Sequence, residues 1–234
     1  QRQMCIRDRS NFQQNVTVTG GTFSDASLLG YLGANANVKV KMTADKSCGG
    51  FVTNNGQVVD IDLNQHTLTL ANPTVGSEGT KTNSCQLLKG SKVTFRNGKL
   101  QSDNERIMIQ NYSELLLDNV TVEALKADYV VSNNNESCTI NNSTINAGTG
   151  KFAFDVCSFS SYAGVVVTVN GGSIINGKVE FSGNNGKKNG KLIVNSGTFN
   201  GNLDVTPAYY DSVNKNIIIN GGEFGKYIGW SDYK

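Results

Sequence analysis

Three carboxylates stand at matching places in three short phrases: Asp155 in FDV, Glu180 in VEF and Asp204 in LDV. Each lies between apolar neighbours, Phe154 and Val156, Val179 and Phe181, Leu203 and Val205. In a strand, such alternation sends the carboxylate to one face and its neighbours to the other. If the phrases stack as adjacent strands, neighbouring carboxylates lie about 5 Å apart and the outer two about 10 Å apart. Those separations bracket the ones used by retaining and inverting glycosidases. Repulsion within such a row raises one pKa while another group stays ionised, which is the division that acid-base catalysis needs. The same oxygens suit Ca²⁺. A solvated acidic row with neither role fits the pattern as well, since Lys151, Lys178 and Lys226 open nearby strands and water screens the rest.

Other chemistries are narrowed by what the chain lacks. His66 is the single histidine, and no Ser or Cys has a neighbouring base for a nucleophilic triad. Asp60 and Asp62 share one face of VVDIDL with His66 close behind, a set that could bind a divalent ion. A solvated strand face is the plainer account. The five cysteines, Cys5, Cys48, Cys85, Cys138 and Cys157, form no CxxC pair. Cys85 and Cys138 stand where other repeats carry apolar residues, so they read as small buried hydrophobes.

Loops that follow the carboxylate phrases hold a second set of residues. SFSSYAG carries Phe159 and Tyr162, GNNGKKNGK carries Lys187 and Lys188, and PAYYDSVNKN carries Tyr209 and Tyr210. Aromatic faces beside amides and carboxylates recognise sugars by stacking on the ring and hydrogen bonding to its hydroxyls. The same rings folded back over the protein would serve only as cover. Lys187 and Lys188 read as a solvated turn rather than a phosphate site, placed in the same ligand-facing row.

Positioning these residues requires a repeated element, and the chain supplies one. An aliphatic alternation, then Asn or Asp, then Gly or Asn, then a polar and an apolar residue returns along the sequence. The copies are VTVTGGTF from Val16, IDLNQHTL from Ile61, VTFRNGKL from Val93, LLLDNVTV from Leu115, CTINNSTI from Cys138, VTVNGGSI from Val167, LIVNSGTF from Leu192 and IIINGGEF from Ile217. A degraded copy, VKVKM from Val38, brings the count to about nine coils of roughly 25 residues. Aligned on the last aliphatic before the turn, Val18, Val40, Leu63, Phe95, Leu117, Ile140, Val169, Val194 and Ile219 form one column. Asn-Gly and Asn-Asn tolerate the left-handed backbone of a tight bend. Asn64, Asn141, Asn170, Asn195 and Asn220 are expected to bond along the axis as a ladder, interrupted at Thr19 and Arg96. A further strand in each coil reads CQLLKG, RIMIQN, DYVVSN, KFAFDV, KVEFSG, NLDVTP and KYIGWS. Repeats of this size, built of strands, bury their apolar faces only against their neighbours. Residues 10–234 therefore read as one all-β domain, a solenoid with three strands per coil.

Composition agrees. With 26 Gly, 2 Pro and 17% charged residues, the chain suits many tight turns and few helices. A net charge of +2 gives no argument for nucleic acid, and no stretch suits membrane insertion. The opening QRQMCIRDRS breaks with the pattern and reads like translated adapter sequence, so residues 1–9 are expected to be a non-native leader. Neither end shows the polar cap of a finished solenoid, which suggests a fragment or one segment of a longer fibre.

The Asn-Gly ladder, the three strands per coil and phrases such as VDIDLNQHTLTL from Val59 resemble the pectin-lyase-like superfamily of single-stranded right-handed parallel β-helices. The resemblance covers residues 10–234 and implies that fold. The superfamily includes polysaccharide lyases, glycoside hydrolases, phage tail spikes and fibres, and bacterial adhesins, so fold alone does not choose among them. In its enzymes the cleft runs along one strand stack, here the one bearing Asp155, Glu180 and Asp204. Its lyases use a basic residue beside Ca²⁺, and Arg106 lies about two coils from Asp155. Its polygalacturonase-like sites need His and Arg-x-Lys, while His66 is remote and no Arg-x-Lys exists. The expectation is therefore a non-catalytic extracellular module of a phage fibre, a spike or a bacterial surface adhesin. Its loops would present to a polysaccharide or cell-surface glycan, with no cofactor unless Ca²⁺. A lyase or hydrolase using the three carboxylates is the alternative, and a purely structural spacer is a third reading. The outward residues are mostly polar, so a monomeric rod is the default, with a homotrimer or larger fibre left open.

Overall fold

The computed structural model describes residues 16–71, 75–76, 81–159, 161–184, 186–226 and 228–230. The expected leader at residues 1–9, with Cys5, lies outside the described residues. The described chain winds as a right-handed parallel β-solenoid of about 8 turns. A first stack runs in chain order from Gly21–Phe23 to Ile217–Ile219, and a third stack runs from Phe51–Thr53 to Ile228–Trp230. Between them lies a second stack that includes Thr67–Leu70, Thr144–Ala147, Ile174–Asn176 and Thr198–Phe199. In Lys92–Ser102 and Glu114–Ala124 the strand continues unbroken around the bend from the first stack into the second.

Each coil encloses too little apolar surface to fold alone, and its core forms between coils. Phe95, Phe154, Phe181 and Phe199 are fully buried, in columns that also hold Val, Leu and Ile. Cys85 and Cys138 fill apolar positions in these columns, as the sequence indicates, and burial pushes the Cys138 thiol up to about 12.

Register follows the sequence alignment from Phe95 onward, through Leu117, Ile140, Val169, Val194 and Ile219. Earlier copies are placed differently. Ile61, not Leu63, pairs with Phe95, because the strand ends at Asp62 and Leu63 is a further buried residue inside the turn. Phe23, not Val18, pairs with Val40, while Val18 bridges Leu32.

The asparagine ladder forms where the repeat is cleanest. Asn170 donates to Asn141, Asn195 to Asn170 and Asn220 to Asn195, each at 2.8 Å. Asn64 stands apart from it and donates to the Met42 carbonyl. A second ladder, not foreseen, runs beside it: Asn200 donates to Asn176 at 2.7 Å and Asn176 to Asn146 at 2.8 Å. Asn146 donates in turn to Glu123, which also accepts from Lys99 at 2.7 Å and is held below its usual carboxyl range chiefly by that lysine.

Truncation in a core column should cost more than loss of a rung. Phe181→Ala is expected to destabilise by about 3–5 kcal/mol, and Asn170→Ala by about 0.5–1.5 kcal/mol, because water reaches the amides that lose it as a partner. Urea unfolding of both variants, followed by circular dichroism, checks the order and the sizes.

Candidate functional site on the third strand stack

Alternation and parallel pairing decide what the third stack presents. Asp155 pairs with Glu180 and Glu180 with Asp204, so the carboxylates occupy successive rungs of one column. The column continues through Gln86, Gln110 and Ser132 on earlier coils. Phe154, Val156, Val179, Phe181, Leu203 and Val205 enter the core on the opposite face.

The three acids do not share one environment. Asp155 is only 5% exposed. Its Oδ2 accepts from the Ser132 hydroxyl at 3.0 Å, and its Oδ1 accepts from the Asn133 backbone N–H. Burial dominates over these bonds and pushes its carboxyl up to about 8. Glu180 is half-buried and accepts from the Tyr129 hydroxyl at 2.9 Å and from Ser182 at 3.1 Å. Asp204 is also half-buried. The open acidic row expected from alternation thus begins one coil later than Asp155. Burial, reinforced by nearby charge that includes Asp155, raises the phenols of Tyr112 and Tyr129.

The neighbouring lysines do not pair with this column. Lys151 donates to Asp128 at 2.7 Å, and Asp128 also takes Arg106 at 3.0 Å. Lys178 lies 5.5 Å from the centroid of Phe152, whose ring stacks on Tyr129 at 4.8 Å. Tyr129 and Phe152 were not singled out from the sequence, although with Lys178 they begin successive third strands and share a rung position.

The three loops after the third strands lie side by side. Asn189 donates to the Phe159 and Tyr162 carbonyls, at 3.2 and 2.9 Å, and ties the loop of Lys187 and Lys188 to the preceding one. Tyr209 lies over Gly183, where a Cβ would come within 2.7 Å of its ring. Phe159, Tyr162, Tyr209 and Tyr210 are half-buried, and Tyr209 and Tyr210 pack on the core. Tyr162 contacts Tyr112 at 5.1 Å and Phe159 at 5.8 Å between ring centroids. The rings therefore close the flank of the rod and leave part of each face outward. Lys187 and Lys188 are exposed.

Asp60, Asp62 and His66 do not converge. Arg96 takes both acids, bonding Asp60 through Nη1 and lying 3.9 Å from Asp62 through Nε. The His66 ring faces Asp45 at 3.4 Å. Among the described residues, no three His, Cys, Asp or Glu side chains lie close enough together to hold a metal ion.

The chain matches no known family model, no curated protein and no solved structure. What the structure supports of the resemblance to pectin-lyase-like proteins is the parallel β-solenoid itself.

Asp155 gives the site a pH signature. Its pKa is raised in the fold, so between the ordinary carboxyl value of 3.8 and about 8 the folded protein holds a proton that the unfolded chain has released. Stability from this group is therefore full at low pH and declines as pH rises through that window. Asp155→Asn should flatten the decline, gaining on the parent as pH rises. Urea midpoints of both proteins across this range measure it, and a parent with no such decline would contradict the assignment.

Proposed function

We propose that this chain is a non-catalytic β-solenoid module of an extracellular assembly, such as a phage fibre, a spike or a bacterial surface adhesin, that binds a glycan through its loop row. The observation that carries the reading is the contiguous row made by the loops after three successive third strands. Its half-exposed rings, Tyr162, Tyr209 and Tyr210, lie beside the exposed Lys187 and Lys188. Flat aromatic faces held by a rigid scaffold bind sugars at low entropic cost. A rod of stacked coils repeats such a surface along its length.

The burial of Asp155 speaks against catalysis by the carboxylate column. An acid or base must reach the substrate, and both Asp155 oxygens are bonded to the preceding coil. One observation favours the enzyme reading: Asp155, with its raised pKa, sits directly beside Glu180. A lyase or hydrolase built on this pair therefore stands as the second reading.

Glycan-array binding of the full chain, with turnover assayed on every hit, separates the two. Binding without turnover is expected, weakened about tenfold or more in Tyr209→Ala/Tyr210→Ala, as loss of two stacking contacts implies. Thermal melts of that variant separate lost binding from lost fold. Turnover that disappears in Asp155→Asn/Glu180→Gln would establish the enzyme instead.

A further inference from the structure

The Tyr129 hydroxyl donates to Glu180 Oε2 at 2.9 Å across an intervening strand, Phe152–Ser158. Parallel pairing sets Asp155 of that strand one rung from Glu180. This clamp therefore holds the Glu180 carboxylate beside a carboxyl group that is itself buried. The two backbones lie about 4.8 Å apart, and at that range, with little water between them, two ionised carboxylates repel each other strongly. The pair is not symmetric. Ser132 and the Asn133 N–H bond both Asp155 oxygens, whereas Glu180 is half-buried and reaches solvent. When both acids are ionised, Glu180 is the one free to turn outward, and turning outward breaks its bond to Tyr129.

The surroundings leave Asp155 in control of this balance. Lys151 is taken by Asp128 at 2.7 Å, and Lys178 lies over the Phe152 ring. Asp204 stands one rung beyond Glu180, on the side away from Asp155. The remaining titratable groups whose charge bears on Asp155 are Tyr112 and Tyr129 on earlier coils, Cys157 on its own strand and Cys138 on the first stack. Burial raises all four, so they stay neutral up to about pH 9. Asp155 itself is pushed up to about 8, first by burial and further by the Glu180 charge. Linkage makes that last effect reciprocal: a closed clamp, which fixes the Glu180 charge, favours the proton on Asp155, and the proton favours the closed clamp.

We propose that the proton on Asp155 is a switch for the Tyr129–Glu180 clamp, which is closed while Asp155 is neutral and opens as Asp155 ionises. The clamp is fully present at low and neutral pH and is lost as pH rises through about 8. The switch needs no ligand and stands apart from the glycan reading.

Urea unfolding of the parent and of Tyr129→Phe at about pH 6 and about pH 9 tests this, with the same comparison repeated on Asp155→Asn. Phenylalanine keeps the ring stacked on Phe152 and removes only the hydroxyl. In the parent, Tyr129→Phe is expected to raise the unfolding constant about tenfold at the lower pH, as loss of a hydrogen bond to a charged group implies, and to change it little at the higher. On Asp155→Asn, which cannot ionise, the cost should be the same at both. Carbon-13 NMR of the Asp155 carboxyl supplies a second readout that does not need this variant to fold: its titration midpoint should fall in Tyr129→Phe. An equal cost of Tyr129→Phe at both pH values in the parent, or an Asp155 midpoint that Tyr129→Phe leaves unmoved, would overturn the switch.

Discussion

Residues in the stacks sit above and below counterparts one coil away, with one register shift at Ala153, and the rest of the structure depends on that parallel registry. It turns a local choice of side chain into a column. An apolar residue at one rung is buried only if the rungs above and below are apolar too, as in the run from Phe95 through Leu117, Ile140, Val169 and Val194. An amide can bond along the axis only if another amide stands one strand spacing away, which is why Asn141, Asn170, Asn195 and Asn220 act together. A carboxylate stacked on another, as Glu180 is on Asp155, faces like charge or must give up its own.

Much of this was legible because registry writes itself into the sequence as repetition. The asparagine ladder, the third strands and the buried cysteines followed from matching phrases. Reading failed where one coil offered two equivalent frames. VVDIDLNQ has aliphatics at both Ile61 and Leu63, and only pairing with Phe95 shows that the strand ends at Asp62. The ladder of Asn146, Asn176 and Asn200 went unread because these residues close the short second strands, whose phrases vary more than the first.

The carboxylate column shows a different limit. Alternation correctly sets Asp155, Glu180 and Asp204 on one face of the third stack. It does not say what lies over that face. Asp155 is instead buried against the preceding coil, where Ser132 and Asn133 bond it, while Tyr112 packs on Tyr162 of a later loop. The two rings share no repeat position. Likewise Asp60 and Asp62 resemble a pair awaiting an ion until Arg96, one coil on, is seen to occupy both.

The bond from the Tyr129 hydroxyl to Glu180 passes over an intervening coil, since the strand Phe152–Ser158 lies between the two. Gly90 N–H reaches Glu136 over a coil in the same way, and Tyr112 meets Tyr162; outside such ties each coil is held mainly by its immediate neighbours, so under tension the rod would peel one coil at a time. At this clamp the peeling meets three coils fastened together, and they must give way as one. Mechanically, the molecule is a zip with a rivet through its middle.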